Sequence, residues 1–168
     1  MTQGDRVMVV RLQEGLRFVA ITPSGFEIAM DSRIEPGERV SAPNPMEMQL
    51  AALGGCGAMD TISVLRKMRQ EITAYEVRLT YRRAPEHPKV YTAVELVHAV
   101  RGRGVSEASV RRAVQLTMIR YCPAYAMLHP TIDITERYEI TDEATGAVVS
   151  GPVTARDDGP EGNPSPAD

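Results

Sequence analysis

The sequence predicts an α+β domain with elements in the order βββ-α-ββ-α-α-β, a long central helix being packed on antiparallel sheets. Three observations predict it. Pro43 to Gln70 reads as one long helix, apolar or small on nearly every face from Met46 to Met59. Two long strands with alternating polarity follow as a hairpin, and a second helix and a final strand follow those. Before the helix lie three short strands, a meander with half a core of its own.

Taken in order, Arg6 to Gln13, Arg17 to Ile21 and Phe26 to Asp31 are the meander strands, with turns at Glu14-Gly15 and Thr22-Pro23-Ser24-Gly25. Ser32 to Pro43 is a polar loop. The long helix then opens with Asn44 as N-cap, Pro45 at the first helical position, and Glu47 placed to reach back to the cap in a variant of the capping box. A helix apolar all round is buried, in a core or against another subunit. Past Asp60 one face turns polar, with Arg66, Lys67, Arg69 and Gln70 outside and Ile62, Leu65 and Met68 inside. In its middle sits Gly54-Gly55-Cys56-Gly57. Each interior Gly costs about 1 kcal/mol relative to Ala, so the run implies close approach of another element or a small ligand.

Tyr75 to Arg83 alternates cleanly, with Tyr75, Val77, Leu79 and Tyr81 on one face, and Lys89 to Val100 is its hairpin partner. Ser106 caps a helix carrying Val110, Ala113, Val114, Thr117, Met118 and Tyr121 at helical spacing. Cys122-Pro123 interrupts it. Pro123 begins a short helix through Met127, which makes Cys122 its N-cap. Thr131 to Ile140 is the closing strand. The domain is therefore read as 1–140, and 141–168 as an acidic, Gly- and Pro-rich tail expected to be disordered.

Composition bounds the function. The formal net charge is −3, with no basic stripe, so no nucleic-acid partner is expected. No apolar run is read as reaching the roughly 20 residues of a bilayer span, and the first residues lack a signal-peptide pattern, so no membrane is expected and the location is read as cytoplasmic. The two cysteines are then thiols at rest, any disulfide between them being transient or catalytic. Nine methionines, two phenylalanines and no tryptophan make an aliphatic, adaptable core.

Two readings stay open for each thiol. Cys56 is either a small packing residue or a site. It lies too far past the helix start for the dipole to matter, so a thiolate there needs a local cation or donor. Cys122 either faces unpaired N–H groups that stabilise a thiolate or caps weakly before a proline. Glu47 is a capping residue or a carboxylate near the site. Asp60, one turn beyond Cys56, raises a nearby thiol's pKa rather than lowering it. Arg33 and Arg39 are the nearest cations in sequence, on a surface loop. His87, His98 and His129 match no metal-ligand spacing, so no metal centre is expected, and no phosphate loop or nucleotide fingerprint implies a cofactor.

The run Asn44-Pro45-x-Glu47…Ala51-Ala52-x-Gly54-Gly55-Cys56, the strand from His87 (HPKVYTAVELV) and the segment from Arg112 (RAVQLTMIRYCPAYAML) resemble the OsmC/Ohr family, osmotically inducible protein C and organic hydroperoxide resistance protein. The likeness spans Arg17 to Ile140 and is closer to a less characterised third branch. The resemblance implies an intertwined homodimer and a thiol-dependent peroxidase for organic hydroperoxides. It makes Cys56 the peroxidatic thiol and Cys122 the resolving thiol, with Glu47 as the candidate catalytic carboxylate. Met46, Met48 and Met59 become hydrophobic walls, and an external dithiol is the reductant. Two positions depart from the family pattern. Met46 stands where well-studied members carry Glu, with Glu47 about 100° further round the helix, and the turn Thr22–Gly25 holds no Arg. The alternative is a redox-sensing or small-ligand-binding dimer on the same fold, without efficient turnover.

Overall fold

The computed structural model describes residues 6–155, which form two compact units, one ending at Ala51 and the other starting at Ala52. In the first unit β1 (Val9–Glu14), β2 (Arg17–Ile21) and β3 (Glu27–Met30) make an antiparallel sheet in sequence order. Gly15, at φ 52, supplies the left-handed residue of the β1–β2 turn. All six residues of β1 are exposed. Helix α1 (Pro45–Lys67) starts at the expected capping box: the Glu47 N–H donates to Asn44 Oδ1 at 3.0 Å, and the Asn44 N–H donates to Glu47 Oε2 at 2.8 Å.

By length and composition α1 is long and apolar enough to cross a membrane, with a window of mean hydropathy 1.2, a third of it buried. This corrects the expectation that no run reaches that length. Alanines and glycines bridge its larger apolar residues, and core helices can share this length and composition.

The second unit is built on a four-stranded sheet in the order β4 (Glu71–Arg83), β5 (Tyr91–Arg103), β6 (Asp133–Asp142), β7 (Val148–Val153). β4 and β5 form the expected antiparallel hairpin, with Leu79 opposite Leu96. β5 and β6, however, run parallel, Val94 facing Ile134 and Val100 facing Ile140, so the sheet is mixed rather than antiparallel throughout. The crossover between them holds α2 (Glu107–Leu116), a π-helical segment (Thr117–Tyr121) and α3 (Pro123–Leu128). Such a connection is what a parallel pair requires. Ser106 caps α2 as read, its hydroxyl accepting from the Ser109 N–H.

β7 falls inside the segment read from sequence as a disordered tail. It pairs antiparallel with β6 from Val148 to Val153, and its turn is held by Asp142, whose Oδ1 accepts from the N–H groups of Ala144 and Thr145. Asp142, Glu143 and Gly146, the first residues of that segment to read as tail, form this turn. Gly151 lets the strand lie on Tyr138, whose hydroxyl a Cβ would meet at 2.5 Å. The remaining tail, 156–168, lies outside the described residues.

One core joins these elements: Val64 and Leu65 of α1, Val110, Ala113 and Val114 of α2, Met118, and Val100, Tyr138, Ile140 and Val153 of the sheet. Burial of these side chains contributes on the order of 2 kcal/mol each and docks the second half of α1 beside the crossover. That docking places the site.

Candidate functional site

Leu79 of β4 comes so close to α1 that a Cβ on Gly54 would lie 2.7 Å from its Cδ1. This is the close approach the glycine run implies. Gly55 has open space where its Cβ would be. Two turns further along α1, the Thr61 and Thr117 hydroxyls are 3.1 Å apart, and Thr117 also donates to the Ala113 carbonyl. That hydroxyl on the preceding turn accompanies the change from α- to π-helical winding, which closes when the Cys122 N–H donates to the Thr117 carbonyl at 3.0 Å. Pro123, which has no N–H to donate, starts α3.

The result is a cluster. Cys56 Sγ, Cys122 Sγ and a carboxylate oxygen of Asp60 all lie within 4.8 Å of one another. Cys56 and Asp60 are half-buried and Cys122 is 3% exposed. Both cysteines are free thiols. Cys122 is the N-cap of α3, its sulfur accepting from the Tyr125 N–H at 3.3 Å. That bond does not decide its acidity. Burial pushes the Cys122 thiol up to about 11; the Tyr125 N–H opposes the rise and the Cys56 sulfur adds to it. The cap bond thus acts against the rise that burial imposes on Cys122 without cancelling it.

Next to the cluster in sequence, Thr61 begins a buried polar line. The Thr61 side chain lies beside the Tyr75 hydroxyl, that hydroxyl lies 2.6 Å from His98 Nδ1, and His98 Nε2 lies 2.6 Å from Glu136 Oε2. His98 is fully buried and Glu136 is 5% exposed. Burial first, and the Glu136 charge after it, push the Tyr75 hydroxyl far above its ordinary range.

Of the residues singled out from sequence, Cys56, Asp60 and Cys122 come together. Glu47 lies in the other unit, where both its recorded hydrogen bonds are with Asn44. There it shares the lining of a hollow with Arg33, while Arg39 lines a different one with Arg17 and Asp31. The hollow along the sheet lined by Thr80, Arg82, Glu95 and Asp133 contains neither thiol. Thr117 and the His98–Glu136 pair escaped the sequence as site residues. Asp60, read from sequence as one turn beyond Cys56, joins the cluster as that spacing implies; the pairing of His98 with Glu136 had no signal in the sequence.

A half-exposed thiol and a buried thiol, set between a long helix and a π-distorted one on a mixed sheet, define an α+β dithiol protein. A family model described as OsmC-like protein matches residues 36–137. Protein YhfA of Escherichia coli (strain K12) is 42% identical over 131 residues, 78% of this chain and 95% of that protein. The crystal structure of a hypothetical protein from Aquifex aeolicus VF5 superposes with a TM-score of 0.73 at 27% identity, over 84% of this chain and 99% of the other. An organic hydroperoxide resistance protein OsmC from Legionella pneumophila shares the fold, with a TM-score of 0.57 at 12% identity, over 82% and 98% of the two chains. The chain belongs to the OsmC/Ohr family.

Proposed function

We propose that this protein is a thiol-dependent peroxidase that reduces organic hydroperoxides through a two-cysteine cycle. The observation that carries the proposal is the pairing of a reachable thiol with a buried one within 4.8 Å, on a fold of this family. The Cys56 thiolate attacks the distal peroxide oxygen, the O–O bond breaks, and the alkoxide leaves as alcohol after taking a proton. Cys56 becomes a sulfenic acid. Cys122 then attacks that sulfur, forming the disulfide as water leaves. An external dithiol returns both cysteines to thiols by two exchange steps.

The two environments suit the two roles. Burial keeps Cys122 protonated and out of contact with peroxide until a sulfenic acid forms beside it. Met59, 69% exposed on α1, supplies an apolar wall toward the solvent side. Glu47 is proposed as the catalytic carboxylate, and it shares a hollow of the first unit with Arg33. The working form is proposed to be an intertwined homodimer, because α1 leaves Ala52, Gly55 and Met59 exposed and β1 is uncovered on both faces. A reducing cytoplasm is the proposed compartment, since two thiols this close persist as thiols where glutathione and thioredoxin act.

The test is single-turnover thiol loss from the reduced protein, with cumene hydroperoxide against hydrogen peroxide, for wild type, Cys56→Ser and Cys122→Ser. The expected outcome is rapid loss of both thiols with the organic peroxide, none in Cys56→Ser, and one oxidation event without a disulfide in Cys122→Ser. Thiol loss no faster than that of a free thiol would reject turnover and favour the redox-sensing or ligand-binding alternative.

A further inference from the structure

We propose that Cys56, Asp60 and Cys122 form a binding site for one thiophilic divalent cation of the Zn²⁺ or Cd²⁺ class. Histidine spacing in the sequence pointed to no metal centre, but the fold assembles a different ligand set. Two residues come from one face of α1, a turn apart, where i,i+4 spacing aims both side chains at a common point. The third comes from the junction between the π-helical segment and α3.

Distance and chemistry agree on the class of ion. With Zn–S bonds of about 2.3 Å, tetrahedral ligands lie roughly 3.8 Å apart. Donor atoms already within 4.8 Å of one another therefore need to close by about 1 Å at most, within reach of small side-chain rotations. Two sulfurs select a soft or borderline ion over Mg²⁺ or Ca²⁺, which require oxygen shells. Each ligating thiol gives its proton to solvent and binds as thiolate, so two thiolates and a carboxylate offset the dication. The Tyr125 N–H, already donating to Cys122 Sγ, is the outer partner that would orient that ligand. Three protein ligands leave a fourth position for water on the side where Cys56 and Asp60 are half-exposed. None of this depends on peroxide turnover.

The experiment titrates Cd²⁺ into the reduced full-length protein and follows the ultraviolet thiolate-to-cadmium charge-transfer band, with a chelating indicator setting the affinity scale. One Cd²⁺ per chain is expected. Cys56→Ser and Cys122→Ser should each abolish the stoichiometric band. Asp60→Asn, with both thiols still counted by a thiol reagent and an unchanged circular dichroism spectrum, should bind at least ten-fold more weakly. Unaltered affinity in Asp60→Asn would overturn the three-ligand site. So would a wild-type affinity no greater than that of either serine variant. Peroxide assays play no part in the readout, so the site and the peroxidase proposal can fail separately.

Discussion

The His98–Glu136 pair can be tested quantitatively. The two residues sit on adjacent parallel strands, diagonal to each other on one face: His98 faces Tyr138, and Glu136 lies two residues earlier, opposite Leu96. Both are buried, and they are 2.6 Å apart at the nearest nitrogen and oxygen. Replacing Glu136 by Leu orphans a buried imidazole nitrogen. Replacing His98 by Leu orphans the carboxylate and also removes the Tyr75 hydroxyl's bond, leaving that hydroxyl its contact with Thr61. Breaking a buried pair from one side costs about 3–5 kcal/mol, while replacing both partners by apolar groups of similar size is near neutral. We therefore expect Glu136→Leu near 3 kcal/mol, His98→Leu toward 5, and the double variant only about 1–2, since the Tyr75 hydroxyl then loses one of its two partners. Urea unfolding reads these values directly. At about 2–4 °C per kcal/mol for a chain of this size, each single variant should also melt roughly 6–20 °C lower. A double variant as costly as the two single variants added together would refute the idea that the pair's penalty is one of orphaned partners.

Three further outcomes are expected. In a Cys56→Ser background, alkylation of Cys122 should be slow near pH 8 and rise steeply above it. The raised native pKa of Cys122 means that the folded chain holds a proton the unfolded chain loses near 9, so this group's contribution to stability falls as pH climbs from 9 toward 11; a stability rising across that window would contradict it. Asn44→Ala should cost about 1 kcal/mol by removing the acceptor for the Glu47 N–H, seen as a lower urea midpoint with an unchanged m-value. Gly102→Ala should leave little folded protein, because a Cβ there would overlap the Glu71 carbonyl oxygen and backbone cannot swing aside; a circular dichroism melt matching wild type would refute the close approach of β4 and β5.

Local chemistry made much of this fold legible in the sequence. The ends of α1, α2 and α3 were readable because Asn44, Ser106 and Cys122 cap within their own first turns. The β4–β5 hairpin was readable because alternation and a short connection leave one way to pair. What stayed hidden depends on distant partners. Nothing near Thr131–Ile140 says that this strand runs parallel to β5, and once it does, His98 and Glu136 meet by register alone. β7 was masked by the composition of the turn at Asp142. The thiols illustrate the division well. Cys56 and Asp60 show their shared helix face in the sequence, but Cys122 joins them through the crossover, and its acidity is set by burial that no spacing reveals.

The parallel pairing of β5 with β6 also bears on the order of assembly. The β4–β5 and β6–β7 hairpins close through short connections, whereas β6 meets β5 only after the whole α2–α3 crossover has been laid down. Closing that long loop carries the larger entropic cost, so hairpins are expected to form first and the strand junction last. Cys122 travels with the crossover and Cys56 with α1. A chain still emerging from the ribosome thus carries two separated thiols, and the proximity on which both proposals rest arises with the native state itself.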